Sequence, residues 1–369
     1  MLKDESLKVA LFLPNLGGGG AERITVYLAE GFANRGVQTD LVLAKADGPY
    51  LSQVSANVNI VDLGESRALL SVGKLSTYLS RVKPSAIISA LNYTNLLTLA
   101  ATKLAQFDGK TIITLHNQFT VPRETKPSFK ERAITYLMRR FYGYANEIVA
   151  VSNGVSDDAA VTLGLDRETV KTIYNPVISD AVLARGQEVP KEDWLNSHET
   201  PVFLGIGRFH EQKDFPNLVR AFKKVRDKVN CHLIILGDGP DRKDLEKLIL
   251  ELKLQDSVKL PGFADNPYAY LSRADVFVLS SKWEGLPTVL IEALAFGRKI
   301  VSTDCKSGPD EILLSGEYGT LVPVGDSELL AEAMCDALTK PKVTYDAAKA
   351  SKRFTYELSI QSYLDLVKK

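Results

Sequence analysis

The chain has 369 residues, of which 45% are hydrophobic and 24% charged, a composition that excludes disordered, collagen-like and coiled-coil proteins. At roughly 100–200 residues per domain, this length predicts two domains. The 45 basic and 45 acidic side chains give a formal net charge of zero, so the overall charge indicates neither nucleic acid nor a polyacidic partner.

The cysteines and the start of the chain indicate the compartment. Cys231, Cys305 and Cys335 are far apart and make neither a zinc-binding pattern nor a plausible disulfide framework. We therefore expect the reducing environment of the cytoplasm. The first eight residues are polar and carry both signs of charge, unlike a signal peptide. No run of about 18 apolar residues predicts a membrane span.

In the first half of the chain, short apolar runs alternate with amphipathic stretches such as the predicted helix Ala21–Arg35, which ends at Gly36. Runs of about five residues have the size of buried parallel strands, and their alternation with helices predicts βαβ units. The predicted strands are Val9–Leu13, Thr39–Leu43, Ala86–Ser89, Thr111–Leu115 and Glu147–Val151.

The same pattern restarts after a polar stretch, 178–201, which we interpret as a linker. The sequence thus predicts two doubly wound domains, residues 1–180 and 181–353. Because ligands bind beyond the carboxyl ends of strands in such sheets, we expect a small-molecule site in an interdomain cleft. The predicted strands of the second half are Val202–Ile206, Cys231–Leu236, Val258–Leu260, Val276–Leu279 and Lys299–Ser302.

Four consecutive glycines, Gly17–Gly20, follow the first predicted strand. Glycine lets a ligand approach the backbone, and the N–H groups of the helix that follows favour an anion. A dinucleotide fingerprint would need glycine at Glu22 or Arg23, and no Gly-Lys-Ser/Thr follows to make a phosphate-binding P-loop. We favour phosphate or substrate binding over the alternative, a flexible turn.

A second motif, Leu204–Lys213, follows the first strand of the second half. Arg208 and Lys213 lie five residues apart in this loop, so both can converge on one anion. Arginine presents a planar fork to phosphate, and lysine a compact charge. The alternative of two solvated loop cations remains open.

The third motif contains two glutamates around the start of a helix predicted near Thr288. Glu284 precedes that helix, and Glu292 falls in its second turn among apolar residues, where a carboxylate is seldom without a partner. Carboxylates accept hydrogen bonds from sugar hydroxyls, and unpaired N–H groups at a helix start bind a diphosphate. In the alternative interpretation, the two glutamates are only surface charges that interact with the helix dipole. The N–H groups expected to be unpaired are those of Thr288, Val289 and Leu290.

These motifs, in this order, resemble those of family-4 retaining glycosyltransferases of the GT-B fold, whose signature is a Glu-x7-Glu pair. Here that pair is Glu284 and Glu292, preceded by the glycine loop, the Arg208 motif and Leu236–Pro240. The resemblance extends over nearly the whole chain and is most specific between residues 202 and 326. It implies an α/β fold of two facing Rossmann-like domains, with a C-terminal helix, 354–369, that returns to the N-terminal domain.

The resemblance also implies roles for single residues. Arg208 and Lys213 would bind the donor diphosphate, Glu284 would contact the donor sugar, and Glu292 would hold the ribose hydroxyls. For His116 it implies a position near the transferred sugar, with a structural hydrogen bond as the alternative. Pro287 departs from a glycine common in relatives and lacks an N–H. The remaining donor-binding residues would be Gly19, Gly20, Phe263, Thr288, Val289 and Leu290.

The implied reaction moves a hexosyl or N-acetylhexosaminyl group, with retention, from a nucleotide diphosphate sugar to a sugar or lipid-linked glycan. We predict a UDP-sugar donor. No Asp-x-Asp occurs, and the cysteines and histidines form no metal-ligand cluster, so we expect no cofactor and no metal. Two alternatives remain: a nucleotide-sugar epimerase of GT-B architecture, and a non-catalytic sugar-nucleotide or glycan binding module.

A basic stretch, 123–140, holds six cationic and two acidic residues, with apolar residues at helical spacing. We predict that it contacts an anionic membrane, on the inner face of the plasma membrane, or a lipid diphosphate acceptor. A domain helix with a solvated basic face is the alternative. The residues assigned to the acceptor or membrane side are Glu22, Arg123, Lys126, Lys130, Arg139 and Arg140.

Overall fold

The computed structural model describes residues 7–17, 19–120, 128–197, 199–339 and 345–368. Its contacts divide the chain into two compact units. Unit 1 comprises Met1–Pro176 together with Tyr356–Lys369, and unit 2 comprises Val177–Thr355. Each unit has its own parallel sheet and its own hydrophobic core. None of the helices in the described part of the chain combines the length and apolar character needed to cross a bilayer.

Unit 1 is built from alternating strands and helices. Its strands are β1 (Lys8–Leu13), β2 (Gln38–Leu43), β3 (Asn59–Asp62), β4 (Ala86–Ala90), β5 (Lys110–Leu115), β6 (Glu147–Ala150) and β7 (Val170–Thr172). Its helices are α1 (Gly20–Asn34), α2 (Ser71–Val82), α3 (Asn92–Leu104), α4 (Phe129–Phe141) and α5 (Asn153–Leu163), to which the last helix of the chain is added below. Within the described residues the strands form one parallel sheet in the order β3-β2-β1-β4-β5-β6-β7.

Unit 2 repeats this plan. Its helices are α6 (Asp180–Arg185), α7 (Trp194–Ser197), α8 (Phe215–Arg226), α9 (Arg242–Glu251), α10 (Pro267–Leu271), α11 (Thr288–Ala295), α12 (Pro309–Leu313), α13 (Ser327–Thr339) and α14 (Ala347–Ser351). Its strands are β8 (Val202–Ile206), β9 (His232–Leu236), β10 (Val258–Gly262), β11 (Val276–Leu279), β12 (Lys299–Thr303) and β13 (Thr320–Val322). The described strands form a parallel sheet in the order β10-β9-β8-β11-β12-β13.

Each sheet reverses its strand order at one point. In unit 1, β1 pairs with both β2 and β4, and in unit 2, β8 pairs with both β9 and β11. At such a point the loops that leave the carboxyl ends of the strands diverge and open a crevice for ligands. The glycine loop follows β1, the Arg208 loop follows β8, and the Glu284 loop follows β11. All three motifs therefore lie where this topology favours ligand binding.

The ten predicted strands are present with small differences at their ends, and the α/β prediction is confirmed. Three short strands at the sheet edges, β3, β7 and β13, were not predicted from the sequence. In β3 no residue is fully buried, so its apolar pattern does not stand out from the neighbouring loops. Strands β7 and β13 have three residues each, too few to show a periodicity.

The interpretation of residues 178–201 as a linker is wrong, because this stretch packs as part of unit 2. The Ser272 hydroxyl donates a hydrogen bond to the Gly186 carbonyl at 2.6 Å. Trp194 stacks on His232 with 3.9 Å between the ring centroids. Backbone carbonyls and one aromatic ring make these contacts, and hydrophobic periodicity does not reveal either of them.

The last helix, α15 (Tyr356–Lys368), packs against unit 1. Its Ile360 and Tyr363 are buried in the same core as β1 and α1. The Tyr356 hydroxyl donates a hydrogen bond to the Tyr27 carbonyl at 2.7 Å. Gly31 of α1 faces Ile360 so closely that a Cβ at residue 31 would overlap the Ile360 side chain.

We predict that Gly31→Ala lowers the free energy of unfolding. Alanine inside a helix is normally preferred over glycine by about 0.5–1 kcal/mol, whereas overpacking a core costs about 1–3 kcal/mol. Urea denaturation measures the difference. Gly73→Ala in α2, where a Cβ meets nothing, is the matched control and should stabilise. Ile360→Val should reduce the loss caused by Gly31→Ala, and additive effects would contradict this packing.

Candidate active site

The loops after β8 and β11 meet in a buried ion pair. The Glu284 side chain accepts hydrogen bonds from Lys213 Nζ at 2.6 Å and from Ser281 Oγ at 2.6 Å, both at Oε1. Gln212 Nε2 donates to the other carboxylate oxygen at 3.3 Å. Glu284 is only 6% exposed. Two predicted catalytic residues that are distant in sequence are therefore in direct contact.

Gly207 explains how the lysine reaches this position. The stem of Lys213 lies over Gly207, where a Cβ would come within 2.9 Å of Lys213 Cε. The Lys213 carbonyl accepts a hydrogen bond from Ser280 Oγ at 2.7 Å, which ties the lysine backbone to the residue after β11. Both the stem and the backbone of this lysine are thus held in place.

The motif Leu236–Pro240 supports the Arg208 loop by close packing. A Cβ at Gly237 would overlap the Gly207 carbonyl, and one at Gly239 would overlap the Phe209 backbone. The Phe209 N–H also donates to the Asp238 carbonyl at 2.9 Å. Gly237 has a φ of +131°, a conformation that glycine adopts readily. These two glycines therefore serve loop packing.

Arg208 differs from Lys213 in its surroundings. The next residue, Phe209, is buried, whereas the Arg208 side chain is exposed and has no hydrogen bond or ion pair with any described residue. The structure thus places one predicted phosphate-binding cation in an ion pair and leaves the other accessible to a ligand.

Helix α11 carries the second glutamate of the predicted pair. It begins at Thr288 after Pro287, and Glu292, in its second turn, is 2% exposed. Thr288 and Val289 are half-buried. The expectation that the Leu290 amide is unpaired is wrong, because it donates to the Pro287 carbonyl at 3.0 Å. This bond tightens the first turn, a common way to satisfy a helix end.

The loop after β12, which was not predicted from the sequence, supports the turn before α11. Ser307 Oγ donates to the Gly285 carbonyl at 2.8 Å. A Cβ at Gly308 would overlap Pro287, and both Ser307 and Gly308 have positive φ. The Ser-Gly-Pro sequence after a predicted strand was the available signal.

Phe263, one of the predicted donor-binding residues, follows the carboxyl end of β10. Its ring is 78% exposed, so one face is available for stacking. Among the described residues, no group of three or more His, Cys, Asp or Glu side chains is placed to hold a metal ion.

In unit 1 the glycine loop is open to solvent. Gly19 and Gly20 are exposed, and α1 begins at Gly20 without a side-chain cap, whereas Gly18 lies outside the described residues. The half-buried Glu22 folds its carboxylate back toward Gly19. Gly48, which was not among the predicted residues, has a φ of +121° and packs against the Leu16 carbonyl just before the loop. The roles of Gly19, Gly20 and Glu22 toward substrates stay predictions.

His116 follows β5 and joins a buried hydrogen-bond network. Thr114 Oγ1 donates to the Ser89 carbonyl at 2.9 Å and contacts His116 Nε2 at 3.0 Å. Because the hydroxyl uses its hydrogen on Ser89, His116 Nε2 donates to it and Nδ1 remains an acceptor. Asn95 closes the network by donating to the Thr114 carbonyl at 2.9 Å and accepting from Ser89 Oγ at 2.8 Å.

Burial lowers the pKa of His116 to about 4, so the ring is neutral at neutral pH. The hydrogen bond that the sequence analysis weighed as an alternative is present, and contact with the transferred sugar stays a prediction. An imidazole with a free acceptor nitrogen suits a sugar hydroxyl, which donates.

The basic stretch is partly described. Arg123 and Lys126 lie outside the described residues, whereas Lys130, Arg139 and Arg140 belong to α4. Arg139 is tied to α5, since its Nε donates to the Thr162 carbonyl at 2.5 Å. Met138 is the buried residue of α4. The apolar residues of α4 therefore only partly pack on the unit, and several stay exposed.

We predict that acidification destabilises the chain through His116. Between about pH 6.5, the ordinary histidine pKa, and about pH 4, the unfolded chain binds a proton that the folded chain does not. The free energy of unfolding should therefore decrease as the pH is lowered from about 6.5 to about 4. Urea denaturation at pH 7 and pH 5 checks this, with His116→Gln expected to lose less stability than the wild type. Equal losses would contradict the assignment.

Two family models match the two halves of the chain. Residues 18–180 match a model described as Glycosyltransferase Family 4, and residues 187–354 match one described as Glycosyl transferases group 1. An uncharacterized glycosyltransferase of Methanocaldococcus jannaschii is 35% identical over 218 residues, which cover 55% of this chain and 54% of that protein. The N-acetylgalactosamine-N,N'-diacetylbacillosaminyl-diphospho-undecaprenol 4-alpha-N-acetylgalactosaminyltransferase of Campylobacter jejuni is 27% identical over 349 residues, 91% of each chain.

Solved structures show the same fold. A glycosyltransferase from Rickettsia africae superposes with a TM-score of 0.82 at 17% identity, covering 98% of each chain. Alr3699/HepE from Anabaena, solved with UDP and glucose, has a TM-score of 0.79 at 20% identity and covers 98% of this chain and 99% of that one. With the two family models together matching most of residues 18–354, the chain is a transferase and belongs to the glycosyltransferases of the GT-B fold.

Proposed function

We propose that the chain is a retaining glycosyltransferase that moves a hexosyl or N-acetylhexosaminyl group from a UDP-sugar to a sugar or lipid-linked glycan. The buried Lys213–Glu284 pair, at the carboxyl ends of β8 and β11, is the observation that carries the proposal. The Anabaena neighbour is solved with UDP-glucose, and the Campylobacter relative is named for a diphospho-undecaprenol-linked glycan. Both support the substrate classes proposed here.

Lys213 and Glu284 each have a role in the proposed reaction. Negative charge builds up on the diphosphate as the glycosidic bond breaks, and the ammonium of Lys213 and the guanidinium of Arg208 offset it. Glu284, held by Lys213 and Ser281, accepts hydrogen bonds from the donor sugar. Its Oε1 already accepts two hydrogen bonds, whereas Oε2 accepts one at 3.3 Å and keeps a lone pair for a sugar hydroxyl. The departing phosphate oxygen then takes the acceptor proton, and the sugar is transferred with retention.

We predict that Arg208→Gln lowers turnover by about 10²–10³-fold, because the leaving diphosphate loses one cation. Arg208 is exposed, so the free energy of unfolding should not change. Arg220→Gln, at an exposed arginine of α8, is the matched control. Release of the nucleoside diphosphate is measured with the nucleotide sugar that most raises the melting temperature in a panel of UDP-, GDP- and ADP-sugars. Turnover equal to that of the control would contradict the diphosphate role.

The same assay tests Lys213 and separates the alternatives. Lys213→Gln leaves a buried carboxylate unpaired, which costs about 3–5 kcal/mol, so turnover must be normalised to the folded fraction. We expect a loss at least as large as for Arg208→Gln. Sugar conversion without any acceptor would indicate an epimerase, and binding without conversion would indicate a binding module.

We also propose that the reaction needs no metal ion, because Arg208 and Lys213 of the loop after β8 offset the negative charge of the diphosphate, as a metal ion otherwise would. Turnover is expected to be unchanged in EDTA. The measurement is UDP release before and after chelation, with manganese added back. Loss of turnover on chelation that manganese restores would overturn this proposal.

We propose further that α4 brings unit 1 to an anionic membrane that holds the acceptor. Phe129, Arg132, Tyr136 and Arg140 recur along one side of α4 at the spacing of a helix face, and all four are exposed. Phe129 is 88% exposed. Alternating aromatic and cationic residues on an exposed helix face favour an anionic lipid interface.

A further inference from the structure

An open groove of about 1020 Å³ runs between α3 and α4. Its volume lies just above the range of about 300–1,000 Å³ found for small-molecule pockets. Its walls are mostly apolar, with Lys103 and Asp108 as charged lining residues. The apolar residues that define the α3–α4 groove are Leu96, Leu99, Leu104, Phe107, Leu137 and Phe141.

Several large apolar side chains of the groove are exposed to solvent. Leu104 is 65% exposed, and Leu137 and Phe141 are exposed as well. Apolar surface exposed to water is unfavourable, and a contiguous patch of this kind usually marks a binding site. An apolar occupant would therefore gain free energy by covering these walls.

Cations are grouped around one aromatic ring at the rim of the groove. Lys103 Nζ lies 5.9 Å from the centroid of the Tyr144 ring, and Arg140 Nη1 donates to the Tyr144 hydroxyl at 3.4 Å. Glu131, the one acidic residue of α4, instead caps the start of its own helix at Ser128. The rim thus suits an anionic group attached to an apolar chain.

Most of the groove lies toward the amino end of β5, away from His116, although Leu96 directly follows Asn95 of the His116 network. Its lining residues 102–109 precede β5, whereas His116 follows β5. The six residues of β5 span about 20 Å at roughly 3.3 Å per residue. A chain in this groove would thus lie mostly away from the place where an acceptor hydroxyl reacts, which favours a membrane lipid beside the protein as its source.

We propose that the α3–α4 groove binds one hydrocarbon chain of an anionic membrane phospholipid, with Lys103 and Arg140 at its phosphate. The proposal rests on the membrane contact proposed for α4 and adds a lipid-chain site to it. Its test needs no donor, acceptor or turnover, so chain binding and glycosyl transfer can fail independently.

Tryptophan reporters test the site directly. Leu104→Trp places a reporter in the groove, Tyr136→Trp on the exposed face of α4, and Leu69→Trp at a position of similar exposure, 60%, before α2. The natural Trp194 and Trp283 lie in unit 2 and give a common background. The probe is vesicles of phosphatidylcholine and phosphatidylglycerol whose phosphatidylglycerol carries bromine at mid-chain, a quencher of tryptophan fluorescence.

We expect mid-chain bromine to quench the fluorescence of the tryptophan introduced by Leu104→Trp. The fluorescence added by Tyr136→Trp and by Leu69→Trp should stay nearly unchanged. Ala100→Phe, which fills the groove, should abolish this quenching without abolishing sedimentation with the vesicles. Ala56→Phe, at an exposed turn of unit 1, should leave quenching unchanged. Equal quenching of Leu104→Trp and Tyr136→Trp, quenching that survives Ala100→Phe, or no vesicle binding at all would each overturn the proposal.

Discussion

The buried contact between Lys213 and Glu284 is the constraint around which unit 2 arranges its loops. A carboxylate and an ammonium that leave water lose much hydration free energy, and only close pairing with further hydrogen bonds offsets that loss. Ser281 and Gln212 supply these bonds to the carboxylate, and Gly207 provides room for the lysine stem. The pair also keeps the ammonium within a fixed distance of the β11 loop before any ligand arrives.

Hydrophobic periodicity predicted most of the fold because the central strands are buried on both faces. A buried parallel strand such as β8 or β11 appears in the sequence as a short apolar run bounded by turn residues. Strands β3, β7 and β13 were not predicted, because a short or half-exposed strand does not form such an apolar run. The segment 178–201 was taken for a linker because its buried apolar residues, Ile178, Val182 and Leu195, form no continuous run. Its other contacts include carbonyl groups, the Lys259–Glu192 ion pair and the stacked Trp194, and hydrophobic periodicity indicates none of these.

The site was predicted through residue types in motif order, and its details depend on distances that a sequence does not contain. The motif order predicted that Lys213 and Glu284 lie in one crevice, but the sequence did not show that they form an ion pair. It also left open whether Gly237 and Gly239 meet a ligand, and the structure shows that both meet backbone. The Leu290 amide was expected to be unpaired, and the chain satisfies it locally at Pro287.

The position of α15 has a consequence for the synthesis of the chain. Unit 1 takes its first part from residues before 177 and its last helix from residues after 355, so unit 2 is inserted within it. Chains emerge from the ribosome N-terminus first, and domains tend to fold as they emerge. The face of α1 around Gly31 must therefore stay uncovered until all of unit 2 has been made. A nascent chain stalled within unit 2 would expose that apolar face to chaperones.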